Sequence, residues 1–208
     1  MVVSRHLNRS FMLLAILGLF AGQVSAQDRE TLTAQKLLER GDLHEVIERA
    51  HEEPGNVEAT FFAAEAAHKL NDDARAAAEF SKLRESGDAS WEAIGESGTH
   101  FAQGNMEEAM QAARRAIEAN GDNPFAHYQL GIVANRQGNN ERALEAFSRA
   151  IALKPDLAYA HYYAGLAAQR LKQIAKMSEH FEIFLKLAPE APERTAVAAL
   201  LRTLRPRR

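Results

Sequence analysis

Apolar and small residues recur with a period of 34 between residues 124 and 191. The stretch 124–157 overlays the stretch 158–191 at this shift. The matching pairs include His127 and His161, Tyr128 and Tyr162, Gly131 and Gly165, Ala134 and Ala168, Phe147 and Phe181, and Pro155 and Pro189. A fixed period of this length is typical of stacked supersecondary units. The chain is therefore predicted to be built from repeats.

Each repeat is predicted to contain two helices. In the stretch 124–157, apolar or small residues recur at spacings of three and four, first over 128–134 and then over 143–151. These spacings place them on one face of each helix. Gly138 between the two runs is suited to end the first helix, and the following asparagines to start the second. Asn123 and Pro124 supply a cap and a first helical residue.

These residues resemble the tetratricopeptide repeat (TPR) pattern. The matching positions are Leu130, Gly131, Ala134, Ala143, Phe147, Ala150 and Pro155, and the next unit repeats them with Gly165, Ala168, Phe181 and Pro189. That unit departs from the pattern at Ala164, Met177 and Phe184. The resemblance implies an all-α, right-handed α-solenoid of helical hairpins.

Weaker copies of the repeat precede these two. The predicted repeats are 27–56, 57–89, 90–123, 124–157 and 158–191, followed by a capping helix and basic tail at 192–208. Gly95 and Gly98 interrupt the first helix of the third repeat, which we expect to be kinked or mobile. The arginines of the tail favour either a solvated helix end or a docking site.

Residues 1–26 are typical of a secretory signal. Arg5 and Arg9 precede an apolar run over 11–21, and the small residues Val24-Ser25-Ala26 predict cleavage after Ala26. The apolar run is shorter than the roughly 20 residues of a spanning helix. An exported bacterial TPR protein, periplasmic or secreted, is therefore expected. The alternative is an inner-membrane protein anchored by an uncleaved signal.

Composition narrows the possible functions. Residues 27–208 contain 23 basic and 28 acidic residues, a net charge of −5, which argues against nucleic-acid binding. The absence of cysteine excludes disulfides and cysteine catalysis. No H-E-x-x-H, G-x-S-x-G or phosphate-binding glycine loop is present, so no enzyme, cofactor or metal site is predicted. His127 and His161 occupy equivalent repeat positions, which favours packing over metal ligation.

The TPR resemblance implies a concave groove lined by the first helix of each repeat. The candidate binding residues are Phe125, Tyr128, Asn135, Arg136, Tyr159, Tyr162, Gln169, Arg170, Trp91 and Phe101. Tyrosine, tryptophan and arginine are enriched at binding hot spots, and arginine can hold a carboxylate. The alternative for the aromatic residues is that they form the core between repeats.

A non-catalytic adaptor is the function that these features favour. We expect it to bind a peptide segment or a protein partner in the groove, in envelope assembly. The alternative is a structural subunit that self-associates or sits stably in a larger envelope complex. Neither a nucleic-acid partner nor a membrane contact beyond the signal segment is expected.

Overall fold

The computed structural model describes residues 32–204, and within them the chain is all-α. The helices are α1 (Ala34–Arg40), α2 (Leu43–Glu52), α3 (Val57–Lys69), α4 (Asp73–Leu83), α5 (Ala89–Ala102), α6 (Met106–Ala119), α7 (Pro124–Arg136), α8 (Asn140–Leu153), α9 (Ala158–Arg170), α10 (Ile174–Leu187) and α11 (Arg194–Leu204). All of them belong to a compact unit that begins at Thr33. The predicted signal and the last four residues lie outside the described residues.

Consecutive helices pack as five hairpins, and each hairpin stacks on the next. Side-chain caps begin several of the helices: Asn56 accepts from the backbone N–H of Ala59, and Asn123 accepts from that of Phe125. The solenoid fold class predicted from the repeat pattern is confirmed. No described helix combines the length and the apolar content that crossing a membrane requires.

A residue with positive φ recurs at the turn inside every hairpin. Three of these turns use glycine, and the other two hold Asn71 at φ 60° and Lys172 at φ 58°. The left-handed conformation reverses the chain after the first helix and lets the second helix pack back on it. The same turn therefore produces five similar hairpins from dissimilar sequences.

Glycines bring the two helices of a hairpin close together. A Cβ added at Gly131 in α7 would lie 2.7 Å from the ring of Phe147 in α8, and one at Gly165 in α9 would lie 2.6 Å from Phe181 in α10. Both phenylalanine rings are fully buried. The phenylalanine ring thus fills the space that the missing side chain leaves.

Two buried serines join three helices in the middle of the stack. Ser90 in α5 donates to the carbonyl of Ala116 in α6 (2.9 Å) and accepts from the amide of Asn123 (3.1 Å). Two helical turns later, the Ser97 hydroxyl donates to the carbonyl of Ala109 in α6 and accepts from the side-chain amide of Gln129 in α7. Since buried polar groups need partners, these bonds fix how the third and fourth hairpins meet.

Two sequence expectations concern the extent and shape of helices. Helix α5 runs unbroken from Ala89 to Ala102, because Gly95 and Gly98 pack against α4, where an added Cβ would contact Phe80. The capping helix begins at Arg194 rather than at residue 192. Residues 188–193, with the sequence Ala-Pro-Glu-Ala-Pro-Glu, form two consecutive turns between α10 and α11, closed by hydrogen bonds from Ala191 N–H to the Ala188 carbonyl and from Arg194 N–H to the Ala191 carbonyl; we call this linker the proline–glutamate segment.

Candidate functional site

An aromatic cluster fills the concave side of the described unit. The ring of Phe61 in α3 lies 5.1 Å from Phe125 and 5.7 Å from Tyr128 in α7, and 6.3 Å from Trp91 in α5. Tyr163 in α9 extends the cluster, 6.1 Å from Tyr128. The first helices of four different hairpins therefore share one apolar centre.

Helix α1 covers one side of this cluster. Leu38 in α1 is buried, and the small cavity between α1 and the cluster has room for about one water molecule. The side-chain amide of Gln35 donates to the carbonyl of Asp156 (2.8 Å), 121 positions later in the chain. The first hairpin thus contacts the beginning of the fifth, and the concave side is narrow there.

A buried carboxyl group lies inside the cluster. Tyr128 donates its hydroxyl hydrogen to Glu65 Oε2 at 3.2 Å, and Glu65 is only 6% exposed. Burial raises the pKa of the Glu65 carboxyl above its usual range, although the charges of His68 and Lys69 act in the opposite direction. Burial and the nearby Glu65 raise the pKa of Tyr128 as well.

Lys69, Tyr159 and Glu193 form the polar edge of the same site. The Glu193 carboxylate accepts from Lys69 Nζ at 2.8 Å and from the Tyr159 hydroxyl at 3.0 Å, and Lys69 Nζ lies 4.0 Å from the centre of the Tyr159 ring. Burial alone would raise the pKa of Glu193, but the hydrogen bond and the charge of Lys69 outweigh it and lower the pKa. Glu193 therefore stays ionised at neutral pH.

A second surface lies at the carboxyl ends of α5, α7 and α9. Arg136 and Arg170 are exposed there, at equivalent positions of consecutive hairpins. The Arg136 guanidinium lies 5.6 Å from the centre of the Phe101 ring, and Arg170 donates a hydrogen bond to Asn135. Within residues 32–204, neither arginine has a carboxylate within ion-pair distance. We call this surface, formed by Phe101, Asn135, Arg136, Gln169 and Arg170, the arginine face.

The predicted groove residues divide between core and surface. Phe101, Phe125, Tyr128 and Tyr159 are buried, which agrees with the alternative that the aromatic residues form the core between repeats. Helix α1 lies against Phe125, Tyr128 and Tyr159, and the ring of His68 lies 5.2 Å from that of Phe101. Trp91, Asn135 and Tyr162 are half-buried, and Arg136, Gln169 and Arg170 are exposed. A binding role for these residues stays a prediction.

Sequence reasoning missed the polar residues that face the site from distant parts of the chain. Glu193 is one, and Glu190, whose carboxylate lies 3.5 Å from Arg40 Nη2, is another. The available signal was the pair of glutamates spaced three apart, each directly after a proline, in a stretch assigned to the repeat end and the capping helix. Tyr163 was overlooked because its neighbour Tyr162 matched the expected groove position.

His161 and His180 are held by hydrogen bonds. His161, 3% exposed, places Nε2 at 3.3 Å from the Pro155 carbonyl and Nδ1 at 3.3 Å from Nδ1 of His180. If Nε2–H donates to the carbonyl, Nδ1 accepts from His180. Burial lowers the pKa of both rings, which favours this neutral arrangement. Among the described residues, no three His, Asp or Glu side chains are grouped as a metal site would need.

A solenoid of helical hairpins defines a class of repeat proteins. Family comparison assigns the repeats of this chain. Two family models described as tetratricopeptide repeat match residues 37–90 and 97–123, and a third model, described as TPR repeat, matches residues 134–172. The chain is thus made of tetratricopeptide repeats, as its 34-residue period predicts. No curated protein sequence matches it.

Several solved structures share the fold. TTC0263, a thermophilic TPR protein in Thermus thermophilus, is 19% identical with a TM-score of 0.58, covering 80% of this chain and 93% of its own. The first TPR of Spaghetti (RPAP3), bound to the HSP90 peptide SRMEEVD, is 21% identical with a TM-score of 0.52, covering 55% and 89%. YrrB, a TPR protein with an unusual peptide-binding site, is 19% identical with a TM-score of 0.50, covering 82% and 89%.

Proposed function

We propose that this chain is a non-catalytic scaffold that binds a protein or peptide partner, and that the arginine face contacts it. The observation that carries the proposal is the pair of exposed arginines, Arg136 and Arg170, each already positioned by a neighbouring side chain. A guanidinium group held in place loses less conformational freedom on binding and can form two parallel hydrogen bonds with a carboxylate. The expected partner therefore presents an acidic segment.

The comparisons support the general part of this proposal. Two TPR structures with the same fold are described as holding a peptide or having a peptide-binding site. A solenoid of stacked hairpins provides an extended surface for such contacts. The aromatic support beneath Arg136 is typical of a binding hot spot.

The arginine face is tested by a double substitution, Arg136→Ala with Arg170→Ala. Arg114→Ala with Arg142→Ala is the matched control, because these arginines are equally exposed but lie on the second helices α6 and α8. Tagged protein is used to capture partners from cells that produce it. We expect the first variant to lose the captured partner and the control to retain it, with helicity unchanged in both. Equal capture by both variants would contradict the proposal.

We further propose that the protein acts outside the cytoplasm, in envelope assembly. The support is the sequence of residues 1–26, with two arginines, an apolar run and a small-residue cleavage site. Cell fractionation followed by amino-terminal sequencing tests it. A periplasmic protein that begins at Gln27 is expected, and a full-length cytoplasmic protein would refute it.

A self-associating structural subunit is the second candidate. It is favoured by two exposed apolar side chains, Ile174 in α10 at 49% and Leu204 in α11 at 39% exposure. Light scattering of the purified protein distinguishes the candidates. A monomer at high concentration excludes self-association, whereas a dimer that Leu204→Glu disrupts would establish it.

A further inference from the structure

The proline–glutamate segment lies against the ends of two of the chain's own first helices, α1 and α3. Glu193 binds Lys69 in α3 and Tyr159 in α9, and Glu190 lies 3.5 Å from Arg40 at the end of α1. Pro192 packs against Gly41, where an added Cβ would lie 2.6 Å from the Pro192 Cγ. The segment is therefore held by residues at least 124 positions earlier, as well as by its own hairpin.

These contacts are of the kind that a bound peptide makes. The segment makes two turns between α10 and α11, which place its two carboxylates against two cations and a proline ring against a glycine backbone. The Tyr159 hydroxyl donates a hydrogen bond to Glu193 of the segment. The pKa of Tyr162 is raised mainly by burial and also by the nearby charge of Glu193. Tyr159 and Tyr162 were both predicted to bind a ligand. In this structure the chain's own segment is placed there.

The segment is held by contacts that can be broken locally. Lys69 and Glu193 keep 18% and 22% of their side-chain surface exposed, and Glu190 keeps 56%. Helix α11, which follows the segment, has Val197 as its only buried side chain within the described residues. Elements with few buried apolar contacts open more readily than the rest of a fold. Water and competing ligands can therefore reach these ion pairs without unfolding the hairpins.

We propose that the proline–glutamate segment is an internal ligand that a partner's acidic segment displaces. The partner would place one carboxylate on Lys69 and Tyr159 and a second, three residues earlier, on Arg40. Displacement would uncover Tyr159 and Tyr162 and join them to the arginine face through Gln169 and Arg170 on the same helix, α9. This inference rests on the proposed function, since it describes how access to the partner surface is controlled.

A peptide with the sequence of residues 187–194, labelled with fluorescein, tests the proposal by fluorescence anisotropy. Arg40, Lys69 and Tyr159, which bind the two carboxylates, are called the cradle. The full chain is compared with the variant Glu190→Ala with Glu193→Ala, which removes both carboxylates from the cradle but leaves its three residues intact. Because the internal competitor is weakened, we expect the variant to bind the peptide at least tenfold more tightly. Adding Lys69→Ala to this variant should weaken binding at least tenfold.

Matched controls separate this effect from a change in net charge. Glu179→Ala with Glu182→Ala removes two exposed glutamates of the same spacing from α10 and should leave the affinity for the peptide unchanged. Circular dichroism checks that each variant is folded. If the double variant loses helicity, the single variant Glu193→Gln is used instead, because glutamine keeps an acceptor for the Tyr159 hydroxyl. We expect Glu193→Gln to bind the peptide at least threefold more tightly than the full chain does. Equal affinities of the full chain and the cradle variant, or no effect of Lys69→Ala, would overturn the proposal.

Failure of this inference can be told apart from failure of the proposed function. If Arg136→Ala with Arg170→Ala abolishes partner capture while emptying the cradle leaves peptide affinity unchanged, the internal-ligand proposal alone is wrong. If emptying the cradle tightens peptide binding while the arginine variant still captures partners, the arginine face alone is wrong. The capture experiment thus tests the arginine face, and the peptide-binding experiment tests the internal ligand.

Discussion

A single buried residue, Glu65, makes the stability of the fold depend on pH. Its carboxyl group is buried beside Tyr128, and burial raises its pKa. The protonated form is therefore favoured more in the folded chain than in the unfolded chain. Glu65 contributes stability below the pKa that it has when unfolded, and this contribution is lost as the pH rises through the folded-state pKa.

Replacing Glu65 with Gln should stabilise the protein at neutral and alkaline pH. Glutamine keeps an acceptor oxygen for Tyr128 but has no charge to bury. We expect the free energy of unfolding at pH 8 to rise by about 1 kcal/mol, with a smaller difference at pH 4.5. Urea denaturation at both pH values measures it, with the exposed Glu92→Gln as control. A loss of stability at pH 8 would mean that the ionised carboxylate is needed.

Glycine at the contact between paired helices is the feature that matters at the scale of the element. In a free helix, glycine is about 1 kcal/mol less favourable than alanine. Gly131 departs from this rule because the Phe147 ring lies where its side chain would be. The ring cannot retreat easily, since Tyr163 stacks on it at 5.6 Å and Tyr128 lies 5.7 Å away.

Gly131→Ala should therefore destabilise the protein, by roughly 1–3 kcal/mol, despite the better helix propensity of alanine. Thermal and urea unfolding measure the change. Phe147→Leu in the same chain should recover part of the loss, because leucine leaves room for the added methyl group. If Gly131→Ala is as stable as the parent or more so, the close approach of α7 and α8 is not needed.

Contacts between distant parts of the chain determine the shape of the described unit as a whole. Lys69 and Glu193, 124 positions apart, link the second hairpin to the linker before α11, and Lys154 and Glu58 lie 3.6 Å apart at the opposite end of α3. Such links leave little open space between the first and fifth hairpins.

The Lys69–Glu193 ion pair should contribute measurably to stability. Both side chains are mostly buried, so a double-mutant cycle with Lys69→Ala and Glu193→Ala should give a coupling energy of about 1 kcal/mol in urea unfolding. The exposed pair Arg149 and Asp122, with an N–O distance of 3.2 Å, is the control, and about 0–0.5 kcal/mol is expected for it. Equal couplings would indicate that the long-range contact does not hold the unit closed.

The repeat architecture was predictable because its information is local. Each hairpin is specified by apolar residues three and four apart, by Asn or Asp caps and by a residue that tolerates positive φ, all within 34 residues. The same glycine–phenylalanine contact is indicated twice by the period, once between Gly131 and Phe147 and once between Gly165 and Phe181. At α5 the sequence contains two helix-weakening glycines, but local rules cannot show that α4 packs against them.

The candidate site was only partly predictable, since burial depends on residues far apart in the chain. The sequence identified Tyr128, Tyr159, Arg136 and Arg170 as chemically suited to binding, yet the first two are buried and the last two exposed. Periodicity assigns a residue to a helix face, whereas the curvature of the stack decides what covers that face. The sequence by itself determined the hairpins and their order. Only the tertiary structure decided that Glu193 reaches Lys69 and that the concave side is closed, because those contacts depend on the sum of all the hairpin angles.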